Sequence, residues 1–285
     1  MACAERARAA DPVALRFGRR AKEYERHALL QREAAQTLAD FSAECIKAQA
    51  GLPCPGPVVE IGCGTGLFTG LLTAMLTKNL GEAARPYLAT DIAPEMVAAC
   101  RARFAQTPGL GFAVLDGQTA RFAAPPAAIV SNLAFQWFAQ PARDIARLAS
   151  QTPQLALSVL VEGSFPEWHA AFADLGRTSG LIPLPAEADI IAALRAANYS
   201  ANPVGNPATL RFETRTHTQH YESAKAFVDS FRGIGADQPR PGYRPAPIRP
   251  VLRRFAGGMD ATARVLYCVV QRGGGQTQCT DEGSA

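Results

Sequence analysis

Three acids stand where this sequence could do chemistry. Val58-Val59-Glu60-Ile61 is a short apolar run that ends in the turn Gly62-Cys63-Gly64-Thr65-Gly66, and a helical pattern opens at Leu67. Glycines at every second position let the chain turn sharply and let a ligand approach the backbone. The first N–H groups of the following helix then point at whatever sits there. A dinucleotide fingerprint needs its third glycine one position later, and Leu67 occupies that slot. Glu60 beside the turn is unfavourable near a pyrophosphate and suits an ammonium or sulfonium group, which moves the reading from NAD toward S-adenosylmethionine. Asp91 ends a second apolar run and can accept from both ribose hydroxyls. Asp116, followed by Gly117, ends a third run and can accept from an exocyclic adenine amine. Ligands of an open α/β sheet bind outside the carboxyl ends of its strands, so these ends share one crevice. Any single acid there is ordinarily a helix cap or a turn residue; the set beside the glycine turn is what carries the reading.

Elements of alternating type must position these groups. After a Pro- and Gly-rich stretch, Gly51–Pro57, strands read over 58–61, 87–91, 112–115, 127–132 and 155–161. Helices read over 67–80, 94–104 and 141–150. That alternation argues for βαβ units and a mostly parallel sheet covered on both faces. Upstream, 13–50 reads as helical. Downstream, 165–175 and 186–197 read as two helices of an insertion, 162–207, lying over the mouth of the sheet. A late strand over 210–221, a helix over 222–232 and a last strand over 264–271 follow. The segment 238–250 holds Pro239, Pro241, Pro245, Pro247 and Pro250 and reads as a loop or extended strap, and the polar tail 273–285 reads as disordered. The organisation is a helical lid over 1–50 and one domain over 51–272.

Composition bounds the rest. The chain has 285 residues, 48% hydrophobic and 19% charged, which is globular rather than disordered. It holds no apolar run long enough for a membrane span. The arginines near the start are not followed by an apolar stretch, so a secretory signal is not expected. Seven cysteines without a C-x-x-C pair exclude zinc-finger spacing and suggest reduced thiols in a cytoplasmic protein. No metal is expected. The net charge of +4 permits an acidic partner without arguing for nucleic acid.

The glycine turn with Glu60, Asp91 and Asp116 resembles that of class I S-adenosylmethionine-dependent methyltransferases. The resemblance implies a Rossmann-like seven-stranded, mostly parallel sheet with a reversed last hairpin, supplied by 210–221 and 264–271. Pro153-Gln154-Leu155 departs from the Leu-x-Pro-Gly-Gly turn of many members. A narrower likeness is to the malonyl-acyl-carrier-protein O-methyltransferases of biotin synthesis. It rests on Phe17-Gly18-Arg19 with Tyr24, His27 and Gln31-Arg32-Glu33, on Ser131-Asn132-Leu133 through Gln136-Trp137, on Glu167-Trp168-His169-Ala170-Ala171 with Leu184-Pro185, and on Ile234-Gly235-Ala236.

This likeness implies methylation of the free carboxylate of a malonyl thioester on an acyl carrier protein, or on coenzyme A. The cofactor set is then Glu60, Gly62, Gly64, Gly66, Asp91, Ile92, Met96, Asp116, Gly117 and Asn132, binding S-adenosylmethionine. Tyr24, Gln136 and Trp137 form the catalytic set: a phenol to meet the carboxylate, an amide to orient an acyl oxygen and an indole wall, with Phe17 closing the lid. A carboxylate is already ionised at pH 7, so no general base is required, only alignment and exclusion of water. One of Arg16, Arg19, Arg20, Arg26 or Arg232 would supply the counter-charge. Arg19 and Arg20, or the strap arginines Arg240, Arg244 and Arg249, would face an acidic carrier protein. His217 and His220, three apart in a strand, fall on opposite faces and read as surface or satisfied side chains, as do His27 and His169 in segments that cover the site. Other readings are a methyltransferase for a small free acid such as trans-aconitate or for a quinone ring, and a non-catalytic binding protein. No Asn-Pro-Pro-Tyr type motif supports nucleic-acid methylation.

Overall fold

The computed structural model describes residues 11–48, 56–80, 86–201, 209–240, 242–245 and 247–272. Most of the Gly51–Pro57 stretch, the tail 273–285, Cys3, Cys54, Cys279 and the side chain of Cys45 lie outside the described residues.

Three apolar runs make the centre. β1 (Val58–Ile61), β4 (Ala128–Asn132) and β5 (Gln154–Leu160) are buried almost throughout, as strands covered on both faces must be. β2 (Tyr87–Asp91) and β3 (Leu110–Val114) extend the sheet on one side. β6 (Thr209–Tyr221) and β7 (Met259–Gln271) extend it on the other. The order is β3-β2-β1-β4-β5-β7-β6. β1 to β5 run parallel, and β7 runs antiparallel to both β5 and β6. This is the seven-stranded arrangement that the resemblance implies, with one strand reversed. β7 starts five residues before its expected start at 264. Its first half alternates buried Met259, Ala261 and Ala263 with polar Asp260, Thr262 and Arg264, and a search for a continuous apolar run passes over such a half-buried segment.

Helices cover both faces. α4 (Leu67–Leu80), α5 (Pro94–Arg103), α6 (Pro141–Ala149) and α9 (Ala224–Ile234) stand close to their expected places. A short α10 (Arg249–Arg254) ends the proline-rich strap; Pro250 at its first turn costs no intrahelical hydrogen bond.

The N-terminal helical stretch divides into three: α1 (Pro12–Arg20), α2 (Tyr24–His27) and α3 (Leu29–Ala48). Asp11 caps α1 by accepting from the Val13 N–H at 2.8 Å. The breaks have a packing cause. Gly18 of α1 presses on α5, where a Cβ would fall 2.3 Å from Glu95 Oε2, while Tyr24 and Ala28 turn inward with Met96 and Ile234. One straight helix could not serve both contacts.

The insertion also divides. α7 (Pro166–Ala173) and the loop after it lie at the mouth of the sheet. α8 (Glu187–Ala201) instead buries Ile190 and Leu194 on the sheet face with Ile145 and Leu148 of α6. Apolar residues on one helix stripe decide that placement; sequence position alone does not.

Candidate functional site

Two cavities open at the carboxyl ends of the parallel strands, and the indole of Trp137 lines both. The first is a crevice over the glycine turn. Gly62, Gly64, Asp91, Ile92, Met96, Asp116, Gly117 and Asn132 line it, as do Tyr24 and Phe17 from the lid. Gly64 sits at φ +53, a left-handed conformation that suits glycine. Asp91 Oδ2 accepts from the Gly64 N–H at 2.9 Å and Oδ1 from the Ala93 N–H at 2.9 Å, so the end of β2 clamps the turn after β1. Burial pushes the Asp91 carboxyl upward, and the N–H groups of Ala93, Gly64 and Ile92 oppose that. Asp116 Oδ1 accepts from the Gln118 N–H at 2.9 Å. A Cβ on Gly117 would fall 2.7 Å from both Ile61 and Phe138, so only glycine lets this loop lie so close.

Among the described residues lining the crevice the charged groups are Asp11, Asp91 and Asp116, with no lysine or arginine. That charge balance suits a cation and opposes a pyrophosphate. The acids, the glycine-lined floor and the apolar Ile92, Met96 and Leu115 fit a nucleoside bearing a sulfonium.

Two expected cofactor residues are placed elsewhere. Glu60 is 1% exposed, beneath the turn rather than in the crevice lining. Its Oε2 accepts from Thr69 at 2.5 Å and from Tyr87 at 2.8 Å, while Oε1 has no partner. Burial pushes its carboxyl up to about 7. Being next to the turn in sequence does not aim a side chain into the crevice, because successive strand residues face opposite sides. Gly66 is likewise absent from the described lining. A Cβ there would meet the Phe104 ring at 2.5 Å and Cys100 Sγ at 2.9 Å, so Gly66 lets α4 and α5 close together.

The lid is tied to the turn by charge and hydrogen bonds. Glu25 Oε1 accepts from Thr65 Oγ1 at 3.1 Å and from Arg103 at 2.5 Å. This holds α2 so that Tyr24 is buried against the crevice, and burial with the nearby Asp91 raises its phenol. Phe17 meets Trp137 edge-on with centroids 5.3 Å apart, closing the crevice from above. Asn132 joins lid to sheet, donating to the Gln31 carbonyl at 2.9 Å and accepting from Ser158 at 2.7 Å.

The second cavity, about 840 Å³ with its open mouth, is walled mostly by apolar side chains including Phe165, Leu181, Leu184, Phe231 and Ile234. Gln136 and Trp137 line it, whereas Tyr24 lines the crevice alone. One amide hydrogen of Gln136 goes to the Leu133 carbonyl at 2.6 Å, and its buried Oε1 has no partner. The group Gln136 offers is therefore foremost an acceptor, not the donor that an acyl oxygen requires. A free donor stands on β6 instead. Gln219 Oε1 accepts from Tyr221 at 2.9 Å and its buried Nε2 is unpartnered.

His217 and His220 fall on opposite faces of β6. His220 is exposed beside Asp260, and His217 reaches the cavity lining with His27 and His169. None of the five arginines offered as a counter-charge lines this cavity among the described residues. Arg16, Arg20 and Arg232 pair with Asp237, Glu23 and Asp229 at the surface. The residues that sequence reasoning missed, Gln219, Tyr221 and Ser230 among them, come from a strand and a helix far along the chain. Their only signal was the alternation of His217, Gln219 and Tyr221 on one face of β6.

Residues 58–152 match the family described as a methyltransferase domain. The biotin biosynthesis bifunctional protein BioCD of Bordetella avium (strain 197N) is 37% identical over 255 residues, 85% of this chain and 48% of that protein, so the chain spans about half its length. A malonyl-acyl-carrier-protein O-methyltransferase of Magnetococcus marinus is 29% identical over 90% of each chain. One of Neorickettsia risticii (strain Illinois) is 26% identical over 92% of this chain and 96% of that protein.

Proposed function

We propose that this chain, a class I methyltransferase by domain and fold, methylates the free carboxylate of a malonyl thioester on an acyl carrier protein, giving the methyl ester as a step of biotin synthesis. The names of its relatives support that substrate. The observation that carries the reading is the pair of cavities parted by Trp137: among the described residues one is lined by acids without a lysine or arginine, the other mostly by apolar side chains without an acid.

S-adenosylmethionine supplies an electrophilic methyl group on a positively charged sulfur. Asp91 and Asp116 would hold its ribose and adenine ends, with Gly62, Gly64 and Gly117 letting it lie on the backbone. Ile92, Met96 and Asn132 complete that set. Glu60 and Gly66 act from beneath by fixing the turn. Tyr24 and Phe17 close the lid and exclude water. Trp137 walls the passage, Gln219 offers a donor to the acceptor, and Gln136 presents an oxygen that accepts from an N–H of the bound thioester arm. The carboxylate is its own nucleophile at pH 7, so these residues need only align it and keep the site dry. A reducing, cytoplasmic setting is supported by the free thiols of Cys63, Cys100 and Cys268. No helix among the described residues is long and apolar enough to cross a membrane.

The test offers labelled S-adenosylmethionine with malonyl carrier protein, malonyl-CoA and trans-aconitate. Label should enter the malonyl thioesters. Label entering the tricarboxylate alone would assign the cavity to a small free acid.

A further inference from the structure

The geometry points to His27 as the group that holds the acceptor carboxylate, which rests on the second cavity being the acceptor site. A carboxylate that leaves water for an apolar cavity needs a cationic or strongly donating partner, since an unpaired buried charge is costly. Among the described residues lining the cavity no lysine or arginine is present; His27, His169 and His217 are the groups able to carry a positive charge.

Two of them are already engaged. His217 Nε2 meets the Tyr267 hydroxyl at 2.8 Å and Nδ1 faces Glu33 at 3.5 Å. Both its ring nitrogens are taken, and any charge it gains is balanced by Glu33. His169 Nδ1 meets Ser179 Oγ at 3.0 Å, and burial holds its imidazole below the usual range. His27 makes no hydrogen bond or ion pair with the described residues.

The free imidazole is nevertheless held in place. A Cβ on Gly233 of α9 would fall 2.2 Å from His27 Cδ2 and 2.8 Å from Nε2, so the helix lies flat on the ring. Its location also fits the reaction. Tyr24 and His27 lie three apart on α2, a spacing that shares one helix face. Tyr24 lines the crevice and His27 lines the cavity. α2 therefore runs across the boundary between the two cavities, and a carboxylate seated on His27 sits near the Trp137 wall that both share.

The experiment uses the full chain, with calorimetric binding of S-adenosylmethionine as the check on folding. Wild type, His27→Gln and His27→Lys are compared for KM with malonyl carrier protein and for inhibition by acetyl carrier protein, which lacks the carboxylate. His27→Gln should raise the malonyl KM by about 30-fold, the size of one charge-assisted hydrogen bond in a dry site. It should leave acetyl inhibition and cofactor affinity unchanged, while His27→Lys recovers part of the loss. An unchanged malonyl KM overturns the assignment, and so does an equal loss for the malonyl and acetyl forms, which is the mark of lost packing. A wild-type chain that binds the cofactor but methylates no malonyl thioester overturns the function and this inference together, and that result appears before any variant is made.

Discussion

The crevice takes its shape from main chain and the cavity from side chains. Around the crevice, neighbouring strands end in glycines and acids, and each acid is fixed by backbone N–H groups a few residues away or on the adjoining strand end. Around the cavity, one to three side chains each arrive from α2, α3, the turn after β4, α7, β6, α9 and β7. Backbone geometry tolerates little change, because a Cβ on Gly117 has no room. A wall of side chains can be repacked with apolar residues of similar volume at modest cost. One half of the site is thus suited to an invariant ligand and the other to a ligand that differs between relatives of one fold.

That contrast breaks if a single crevice substitution has a small effect. Asp91→Ala removes the acceptor for both the Gly64 and Ala93 N–H groups. Calorimetry should show S-adenosylmethionine affinity falling by about 100-fold or more. Binding of acetyl carrier protein to the cavity should be unchanged. Retained cofactor affinity would mean that the clamp between β2 and the glycine turn does not shape the crevice.

The same contrast explains what the sequence could disclose. The individual strands and helices, the glycine turn and the acids at 91 and 116 are local patterns, each contained within a short stretch, whereas the seven-stranded order came through resemblance. Glu60 misleads because sequence adjacency to the turn says nothing of direction. Whether the residue aims at the ligand or at Thr69 and Tyr87 is set by strand register and by the helix packed above. The cavity was scarcely legible. Gln136 and Trp137 were found only through resemblance, and His27 and His217 looked like ordinary histidines. Contacts such as those of Gln219, which reaches the cavity from an edge strand, exist only after long-range pairing of β6 with β7. The separate placement of α8 on the sheet face was hidden for the same reason.

Glu60 gives a sharper measure, since it sits under the crevice and not in it. Its folded carboxyl titrates near 7 against an ordinary 4.5. Below pH 4.5 both folded and unfolded chains hold the proton and the contribution is at its best. Between pH 4.5 and 7 the unfolded chain releases the proton while the folded chain keeps it, so stability falls by about 3 kcal/mol over that window. Glu60→Gln resembles the protonated acid and should escape this loss. Urea midpoints of the two proteins should converge near pH 4.5, and the variant should be the more stable above pH 7. Parallel curves over the whole range would remove Glu60 from the core's pH response.

On the cavity side effects should be smaller and confined to the acceptor. Gln219→Leu removes an amide whose buried Nε2 has no partner, together with the acceptor of the Tyr221 hydroxyl, so stability should fall by only about 1 kcal/mol. If that amide donates to the acceptor, KM for malonyl carrier protein should rise by about 10-fold, the worth of one neutral hydrogen bond, with cofactor affinity untouched. A Gln219→Leu enzyme of wild-type KM would leave the orphan donor without a part in substrate binding.

The smallest effect belongs to the rim, where neither half of the site is touched. Arg16, Arg19 and Arg20 surround a shallow hollow on α1 with Leu15, Gly235 and Asp237. Arg16 is paired with Asp237 at 2.9 Å and Arg20 with Glu23 at 3.7 Å. α1 also carries Phe17 over the crevice, and Gly235 adjoins Ile234 and Ala236 in the cavity wall, so a carrier docked here would stand near both openings. Exposed charges steer association more than they hold a complex. Arg19→Glu with Arg20→Glu should therefore lower kcat/KM for malonyl carrier protein by about fivefold at low salt, chiefly through the association rate, and the gap should close as salt rises. Malonyl-CoA, which needs no protein surface to dock, should be methylated at the wild-type rate by the same variant. A loss shared by both acceptors would place the effect in the lid instead, because α1 would then have shifted Phe17 and disturbed the wall at Trp137.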